Sequence, residues 1–315
     1  MKVIKCIKYG PPEVLKLYEI EKPKPKKNEI LIKIHATSVT ASDCIVRGFK
    51  LPRKSPRGIL MGLVLGFKKP RNSILGMILS GEVEATGRDV TRFKKGDSVY
   101  GWTLKDGITI RFGTYAEYKC MPENSVIVRK PDTISFEEAA AIPYGALIAL
   151  HYLKKGKIHQ RKNVLIYGAS GAIGSAAVQL AKYFGTEVTG VCSSGNLEMV
   201  KSLGAVRVMD YTKEESIPAN TNFDLILDAV GRWKDSKFKQ KCKKALTADG
   251  KYISVDDGSP KANTDDMELI NDIVKEGKFK AVIDRYYSLE EMVDAHRYVD
   301  QGHKKGNVVI TIQKK

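Results

Sequence analysis

The sequence predicts an α/β protein that combines a β-rich region with a doubly wound parallel sheet. Short strand patterns punctuated by glycine and proline fill about the first 125 residues. A strand, a glycine turn and a helix then follow one another in "LIYGASGAIGSAAVQLAK", from Leu165 to Lys182. Apolar strands and helices alternate from there to Val255, which is typical of a parallel sheet covered on both faces.

The composition is that of a globular protein with a strongly basic balance. Of 315 residues, 43% are hydrophobic and 28% charged, and 53 basic against 36 acidic residues give a net charge of +17. The lysines are spread along the chain without a recognisable nucleic-acid module, so no specific nucleic-acid partner is predicted. Five scattered cysteines without a C-x-x-C pair argue against a disulfide framework and a four-cysteine zinc site. Because the start lacks a signal-peptide core, we expect a cytoplasmic protein.

The β-rich region starts with strand patterns and gives way to a helix signal. "EILIKIHAT" alternates apolar and polar residues, and "SGEVEAT" and "DSVYGW" are further short strands. "SFEEAAAIPYGALIALHYL" has a helical composition, with Ser135 as the N-cap and Glu138 three residues later. We therefore expect helical structure from Ser135 onwards.

The alternating region supplies the parallel sheet. The expected strands are "NVLIY", "EVTGV", "VRVMDY", "FDLILDAVG" and "GKYISV", and the helices are "GSAAVQLAKYFG", "LEMVKSLGA" and a segment near "DSKFKQKCKKAL". One more helix, "DDMELINDIVKEG", comes after Val255, and the chain closes on the strand "NVVITI". The last part of the chain therefore does not continue the strand–helix alternation.

The glycine turn "GASGAIG" is the motif that carries chemistry. Glycines let the backbone approach a pyrophosphate closely, and the helix that follows offers unpaired N–H groups and a partial positive charge. A glycine pattern by itself can be no more than a tight turn. Here a strand precedes it, a helix follows it and further strand–helix units come after, so the sequence predicts a dinucleotide-binding site.

The end of the second strand distinguishes the two nicotinamide dinucleotides. An NAD site places a carboxylate there, about 20 residues after the turn, to bind the ribose 2′-hydroxyl. Glu187 has the right count but begins the strand, whereas the carboxyl end reads Cys192-Ser193-Ser194-Gly195-Asn196. Hydroxyl and amide groups can bind a 2′-phosphate that a carboxylate would repel, so we predict NADPH. The two serines can also cap the next helix.

Segments along nearly the whole chain, taken in order, resemble those of a single protein family. They include "YGPPEVLKL", "LGMILSGEVEATGRDVTRFKKGDSVYGW", "GTYAEYKCMPENSV", "EEAAAIPYGALIAL" and "GKFKAVIDRYYSLEEMVDAHRYVDQGHKKGNVVITI". With them the chain resembles the medium-chain dehydrogenase/reductase superfamily, in its zinc-independent quinone-oxidoreductase (zeta-crystallin-like) branch. The resemblance implies a Rossmann domain at residues 126–277, inserted into a GroES-like catalytic domain made of residues 1–125 and 278–315, with the cofactor in the cleft between them.

The resemblance also implies the residues that contact the cofactor. They are the pyrophosphate loop, the 2′-phosphate pocket, a tyrosine along the adenosine phosphate, and the ends of the fourth and fifth strands. In that order they are Ser170, Gly171, Ala172, Ile173 and Gly174; Ser193 and Ser194; Tyr211; Ala229, Val230 and Gly231; and Ser254 and Val255. We add Asn196, whose amide can bind a 2′-phosphate, to the predicted set.

Zinc-dependent relatives carry ligands that this sequence lacks. Their "GHE" segment corresponds to Gly76-Met77-Ile78, and Cys44, near the first ligand position, has no visible partner, so we predict no catalytic zinc. Without a Lewis acid, hydride addition to a conjugated acceptor is the easier reaction, because the arriving charge spreads onto an oxygen that one donor stabilises. The predicted activity is therefore NADPH-dependent reduction of a quinone or an α,β-unsaturated carbonyl compound.

Three departures from the family pattern bear on the site. Asn196 replaces a lysine often found after the serines, and Ile148 replaces a frequent threonine that contacts the cofactor. Ile45 replaces a tyrosine that often follows Asp43, which leaves the proton donor open. We take Tyr144 as the replacement donor, with a packed aromatic as the alternative. Asp43 either orients the active-site loop or only caps a turn.

Two other hypotheses about the function remain open. One is a reductase or dehydrogenase of another carbonyl compound or alcohol. A second is a basic NADPH-binding protein that acts at anionic membrane or RNA, because "RKSPRGILMGLVLGFKKPR" sets an apolar decamer between basic flanks. That segment can equally be a buried loop or helix that covers the catalytic domain. A homodimer formed by sheet extension after Val255 is also expected, although the segment that forms it in relatives is short here.

Overall fold

The structure, a computed structural model, describes all residues except 51, 53, 106–108, 214–216, 218–220, 232–235 and 313–315, and not the side chains of residues 57 and 105. The chain divides into two compact units. The first consists of Met1–Pro143 with Ile283–Lys315, and the second of Tyr144–Val282. Among the described residues, no helix has the length and apolar character needed to cross a membrane.

The described residues form sixteen strands and nine α-helices, besides three single-turn 3-10 helices at Pro12–Val14, Ile158–Gln160 and Ser194–Asn196. The strands are β1 (Lys2–Cys6), β2 (Leu15–Glu19), β3 (Glu29–Val39), β4 (Ile78–Thr86), β5 (Ser98–Trp102), β6 (Leu104–Lys105), β7 (Thr109–Ile110), β8 (Tyr118–Pro122), β9 (Ile127–Arg129), β10 (Asn163–Tyr167), β11 (Glu187–Cys192), β12 (Arg207–Asp210), β13 (Phe223–Asp228), β14 (Leu246–Ser254), β15 (Ile283–Ser288) and β16 (Asn307–Thr311). The helices are α1 (Ala41–Gly48), α2 (Pro56–Leu65), α3 (Phe136–Ala140), α4 (Pro143–Lys155), α5 (Ala172–Tyr183), α6 (Leu197–Ser202), α7 (Lys237–Lys244), α8 (Thr264–Lys275) and α9 (Met292–Asp300).

In the first unit, both ends of the chain contribute to one sheet of seven strands. Its order is β15-β16-β3-β4-β5-β9, with β8 also paired to β3. β16 pairs antiparallel with β3 and parallel with β15, so the last strands of the chain extend the sheet begun by the early ones. The alternation in β3 buries Ile30, Ile32 and Ile34 completely, and they pack with Leu79 and Val83 of β4.

The predicted helical stretch at Ser135 is present but divided. Ser135 Oγ accepts the N–H of Glu138 at 3.1 Å, and the Glu138 carboxylate accepts the N–H of Ser135 at 2.8 Å, so the predicted capping box is confirmed. Pro143, which has no N–H to donate, begins a separate helix α4. Helix α3 packs against β3, β4 and β5, so the first unit reaches Pro143, whereas the sequence placed the end of its first part at residue 125.

The second unit is the predicted parallel sheet with its helices. The strand order is β12-β11-β10-β13-β14, and every pair is parallel. Numbered within this unit, the order is 3-2-1-4-5, which is the Rossmann arrangement, and the switch point lies beside β10. Helix α5 packs against β10 and β11, α6 against β11 and β12, and α7 against β14. The predicted fold class is therefore confirmed.

The apolar decamer at residues 58–67 forms most of helix α2 and the turn after it. Its large side chains are not covered: Leu60 and Val64, for example, are each 62% exposed. The interpretation of this segment as a buried loop or helix is therefore wrong. Apolar character alone indicated burial, but among the described residues of the helix only Gly58 and Gly62 are buried.

Candidate functional site

A helix N-terminus lies at the carboxyl edge of the parallel sheet, directly after β10. Gly168 follows the strand with a φ of +80°, which favours glycine. A Cβ at Gly174 would lie 2.1 Å from the carbonyl oxygen of Gly168, so only glycine allows the first turn of α5 to pack this closely on the loop. The shape of the turn therefore depends on both glycines.

The N-terminus of α5 has room for a ligand. Its N-cap, Gly171, provides no side-chain cap. A Cβ there would meet only the carbonyl oxygen of Gly168, at 3.7 Å, so the space in front of the helix is open. The first-turn N–H groups, together with the helix dipole, make such a terminus a binding site for phosphate. The cradle fits the pyrophosphate of a dinucleotide.

The sheet register brings the other predicted cofactor residues to the same edge. Tyr167 pairs with Asp228, Asp228 pairs with Ser254, and Cys192 pairs with Asp210, so these strands end level with one another. In parallel α/β sheets, ligands bind outside the carboxyl ends of the strands. The segments that follow these ends contain the predicted set: Ser170 to Gly174, Ser193, Ser194, Asn196, Tyr211, Ala229, Val230, Gly231 and Val255, with Ser254 as the last residue of its strand.

The predicted 2′-phosphate pocket is a turn fixed by its own hydrogen bonds. Asn196 Nδ2 donates to Ser193 Oγ at 3.0 Å. The N–H of Tyr211 donates to the carbonyl oxygen of Cys192 at 3.2 Å, which brings Tyr211 next to this turn. Neither Ser193 nor Ser194 caps the following helical turns through its side chain, so the capping alternative is wrong.

A carboxylate that the sequence reasoning missed lies in this pocket. Ser194 Oγ donates to Asp210, and Thr212 donates to the other oxygen of Asp210 through its hydroxyl at 2.6 Å and its N–H at 2.9 Å. Burial opposes ionisation, but these hydrogen bonds hold the pKa of Asp210 below its usual value. The expectation of a pocket without a carboxylate considered the end of β11 alone. That end has no carboxylate, as predicted, but the neighbouring strand β12 supplies one to the pocket.

A second missed residue, Asp228, organises the loop after β13. One of its oxygens accepts the N–H groups of Val230 and Gly231, both at 3.1 Å. The other accepts Lys239 Nζ at 3.0 Å and the hydroxyl of Tyr252 at 2.6 Å. The side chains of Asp228 and Lys239 are only 2% and 3% exposed, so this is a buried ion pair. It fixes the loop that the resemblance places near the nicotinamide ribose.

The loops after the fourth and fifth strands are also held in place. A Cβ at Gly168 would lie 2.4 Å from Val230 Cγ1, so Val230 packs against the glycine turn. The hydroxyl of Tyr152 in α4 donates to the carbonyl oxygen of Val255 at 2.9 Å. The edge of the sheet is therefore a preformed surface, as a binding site requires.

The two predicted catalytic residues lie in different units. Tyr144 is 8% exposed near the start of α4, and Asp43 is fully buried in α1. Thr40 donates to Asp43 Oδ2 through its N–H at 2.9 Å and its hydroxyl at 2.7 Å, and its Oγ accepts the N–H of Asp43 at 3.2 Å. Asp43 therefore takes part in a capping box at the start of α1. Burial raises the pKa of Asp43 from 3.8 to about 6, although the hydrogen bonds from Thr40 lower it.

We expect the substitution Asp43→Asn to destabilise the protein more at low pH than at neutral pH. Because the pKa of Asp43 is about 6 in the folded state and near 3.8 in the unfolded chain, the folded state binds more protons between these values. The contribution of Asp43 to the free energy of unfolding of the wild type therefore rises as the pH falls. Asparagine does not titrate, so it gives no such increase. Urea unfolding of both proteins should give a destabilisation about 2 kcal/mol larger at about pH 4.5 than at about pH 7.5. A pH-independent difference would contradict the burial of an ionisable carboxyl.

Cys44, for which the sequence showed no partner, contacts a histidine in the structure. Its Sγ lies 3.4 Å from Nδ1 of His296, and Arg47 donates to the same nitrogen at 3.2 Å. His296 must then carry its proton on Nε2, which faces the hydroxyl of Tyr115 at 3.1 Å. Burial, and then the charge of Arg47, lower the pKa of His296 to about 3. Within the part of the chain that the structure describes, no three histidine, cysteine or carboxylate side chains are grouped to hold a metal ion.

Comparisons with known proteins agree with this architecture. Two family models match the chain: the alcohol dehydrogenase GroES-like domain over residues 26–132 and the zinc-binding dehydrogenase over residues 259–310. The 2-methylene-furan-3-one reductase of Solanum lycopersicum is 32% identical over 98% of this chain and 79% of its own length. The chloroplastic NADPH-dependent alkenal/one oxidoreductase of Arabidopsis thaliana is 29% identical over 96% of this chain and 77% of its own. The solved quinone oxidoreductase from Coxiella burnetii, 29% identical, has a TM-score of 0.83 over 99% of both chains.

Proposed function

Because this chain belongs to the medium-chain dehydrogenase/reductase superfamily, we propose that it uses NADPH to reduce a quinone or an α,β-unsaturated carbonyl compound. It is an oxidoreductase, and its reaction requires a nicotinamide cofactor. The observation that carries the proposal is the open, uncapped N-terminus of α5 at the carboxyl edge of the Rossmann sheet. The names of the similar proteins supply the acceptor class, since one reduces a 2-methylene-furan-3-one and another an alkenal or enone.

NADPH rather than NADH is part of the proposal. The turn after β11 offers the hydroxyl of Ser193 and the amide of Asn196, and Tyr211 lies next to it. Asp210, which the hydrogen bonds from Ser194 and Thr212 keep ionised, would repel a phosphate, so the proposal rests on the other groups of the turn. The Arabidopsis relative whose name specifies NADPH adds support. The overall charge of +17 also favours the more anionic cofactor.

The reduced nicotinamide supplies the hydride when it is bound, and the protein binds and orients the reactants. The first turn of α5 would hold the pyrophosphate. Asp228 and Lys239 would keep the loop at Ala229–Gly231 in the shape that meets the ribose. We keep Tyr144 as the proposed proton donor and Asp43 as a positioning residue in the first unit.

We also propose that the reaction proceeds without zinc, although one matching family model is that of a zinc-binding dehydrogenase. The residues do not fit the metal, because Gly76-Met77-Ile78 provides no ligand side chain. The nitrogen of His296 that faces Cys44 already accepts a hydrogen bond from the cationic Arg47, which opposes a cation there.

Two wider features remain predictions. A homodimer could form along β14, which is an edge strand of the parallel sheet, and sedimentation velocity of the purified chain tests this. The predicted cytoplasmic location would be tested by cell fractionation.

The decisive experiment follows the oxidation of NADPH and of NADH in the presence of quinones, alkenals, enones and simple ketones. We expect NADPH to be consumed with conjugated acceptors, at least about 10-fold faster than NADH, with little activity toward unconjugated ketones. A chelator is the control, and it should not change the rate. A preference for NADH, activity confined to unconjugated ketones, or loss of activity with the chelator would each overturn the corresponding part of the proposal.

A further inference from the structure

Helix α2 in the first unit directs large apolar side chains outward. Five of them, in the helix and the turn after it, form a group that we term the α2 patch. Clustered exposure of this kind marks an interaction surface, whereas isolated exposed apolar residues do not. The exposed fractions are 45% for Ile59, 62% for Leu60, 55% for Leu63, 62% for Val64 and 44% for Phe67.

The α2 patch is continuous. At about 100° per residue, its four helical members lie within about 140° of the helix circumference. The fifth, Phe67, folds back onto the helix, since a Cβ at Gly62 would lie 2.2 Å from its ring. The hydroxyl of Tyr9 contacts the carbonyl oxygens of Gly66 at 2.7 Å and Leu65 at 3.1 Å, which ties the end of α2 to the unit. The helix is therefore fixed with its apolar face toward solvent.

The segment of the chain that carries the α2 patch is basic. The sequence between Asp43 and Glu82 contains no acidic residue. Within the described residues, Lys54, Lys68, Lys69 and Arg71 form no ion pair, so their charges are available to a partner. The basic residues of this interval are Arg47, Lys50, Arg53, Lys54, Arg57, Lys68, Lys69 and Arg71. Arg47 and Lys50 form ion pairs with Asp300, and Arg53 and the side chain of Arg57 lie outside the described part of the chain.

The charges favour one type of partner. A second copy of this chain docked by two-fold symmetry would place this basic segment against its own copy, and like charges across an interface are repulsive. A small-molecule site is concave and encloses its ligand, whereas this patch is the outer face of a helix. An apolar face with a basic rim matches an anionic bilayer, in which acyl chains receive the apolar side chains and anionic headgroups receive the lysines.

We propose that the α2 patch docks this protein on the surface of an anionic lipid bilayer. The apolar side chains enter the boundary between headgroups and acyl chains, and Lys54, Lys68, Lys69 and Arg71 contact the headgroups. Docking is reversible, because a helix of ten residues lies on the membrane and cannot span it. The proposal is independent of the reaction that the second unit supports.

The test measures co-sedimentation of the full-length protein with vesicles. Vesicles of phosphatidylcholine alone are compared with vesicles that contain about 30% phosphatidylserine, at low salt and at about 0.5 M salt. We expect binding to the anionic vesicles at low salt and its loss at high salt. The double substitution Leu60→Gln with Val64→Gln should lower the partition coefficient by on the order of 10-fold.

Matched controls separate the patch from general hydrophobicity and charge. Val206, in the second unit, is 62% exposed like Val64, so Val206→Gln should leave vesicle binding unchanged. Lys68→Glu with Lys69→Glu should weaken binding, whereas the same charge change at the exposed pair Lys94 and Lys95 should weaken it much less. Thermal unfolding of each variant confirms that it is folded.

Three outcomes would overturn the proposal. The first is the absence of wild-type binding to anionic vesicles. The second is equal binding by the patch variants and their matched controls, which would leave only diffuse attraction by the charge of +17. In the third, the patch variant dissociates a dimer in sedimentation velocity while no protein binds vesicles, which would make the patch an interface between copies.

Discussion

The substitution Gly171→Asp is expected to weaken NADPH binding by on the order of 100-fold while the protein stays folded. Aspartate is a better N-cap than glycine, and a Cβ fits at this position, where the nearest atom is 3.7 Å away. Its carboxylate would then occupy the place where the first-turn N–H groups of α5 receive the pyrophosphate. Two charges about 4 Å apart near a protein surface interact by about 4 kcal/mol, which is enough to account for such a loss. Calorimetric titration with NADPH and a thermal melt measure both effects.

The matched control is Gly171→Asn, which has nearly the same shape without the charge. We expect it to weaken binding by much less than the aspartate variant, and the difference between the two isolates the electrostatic contribution. If the aspartate variant binds NADPH as tightly as the wild type, the pyrophosphate does not lie at the N-terminus of α5.

The second large effect is expected for Asp228→Ala, which should lower the free energy of unfolding by about 3–5 kcal/mol. The substitution leaves Lys239 charged and only 3% exposed without its carboxylate partner. It also removes the acceptor for the N–H groups of Val230 and Gly231, so NADPH binding should fall as well. Urea unfolding monitored by circular dichroism gives the stability, and titration with NADPH gives the affinity.

Two variants test whether loss of the buried ion pair accounts for the lower stability. Asp224 lies on the same strand and accepts two N–H groups at the surface, at 2.9 and 3.0 Å, so Asp224→Ala should cost only about 1 kcal/mol. Adding Lys239→Met to Asp228→Ala removes the unpaired buried charge, and should restore part of the lost stability. Equal effects of Asp228→Ala and Asp224→Ala would show that the buried ion pair has no special role.

Local patterns in the sequence were sufficient to predict these strands and helices and the glycine turn at the centre of the site. The alternation in "EILIKIHAT" gives β3, the Ser135 and Glu138 spacing gives the cap of α3, and the glycine turn gives the start of α5. These features depend on interactions among residues within a few positions of one another, such as turn conformation, capping and side-chain periodicity. Interactions over such short distances along the chain can be predicted from one sequence.

Only the tertiary structure showed which charged residues belong to the site. Asp210 reaches Ser194 because β12 lies beside β11, and Lys239 reaches Asp228 because α7 packs under the same sheet edge. The sequence did contain a signal, since each aspartate closes an apolar strand pattern, in "VRVMDY" and "FDLILDAVG". Their partners could not be named, because the order of strands in a sheet is not a local property.

The sequence by itself determined that this chain forms a Rossmann unit with a phosphate cradle, since glycine spacing and strand–helix alternation restrict the backbone locally. Only the tertiary structure decided that Cys44 contacts His296 across 252 positions of the chain, and that the apolar side of α2 faces solvent. Hydrophobicity specifies that a side chain is driven away from water, but which surface covers it depends on how distant segments pack.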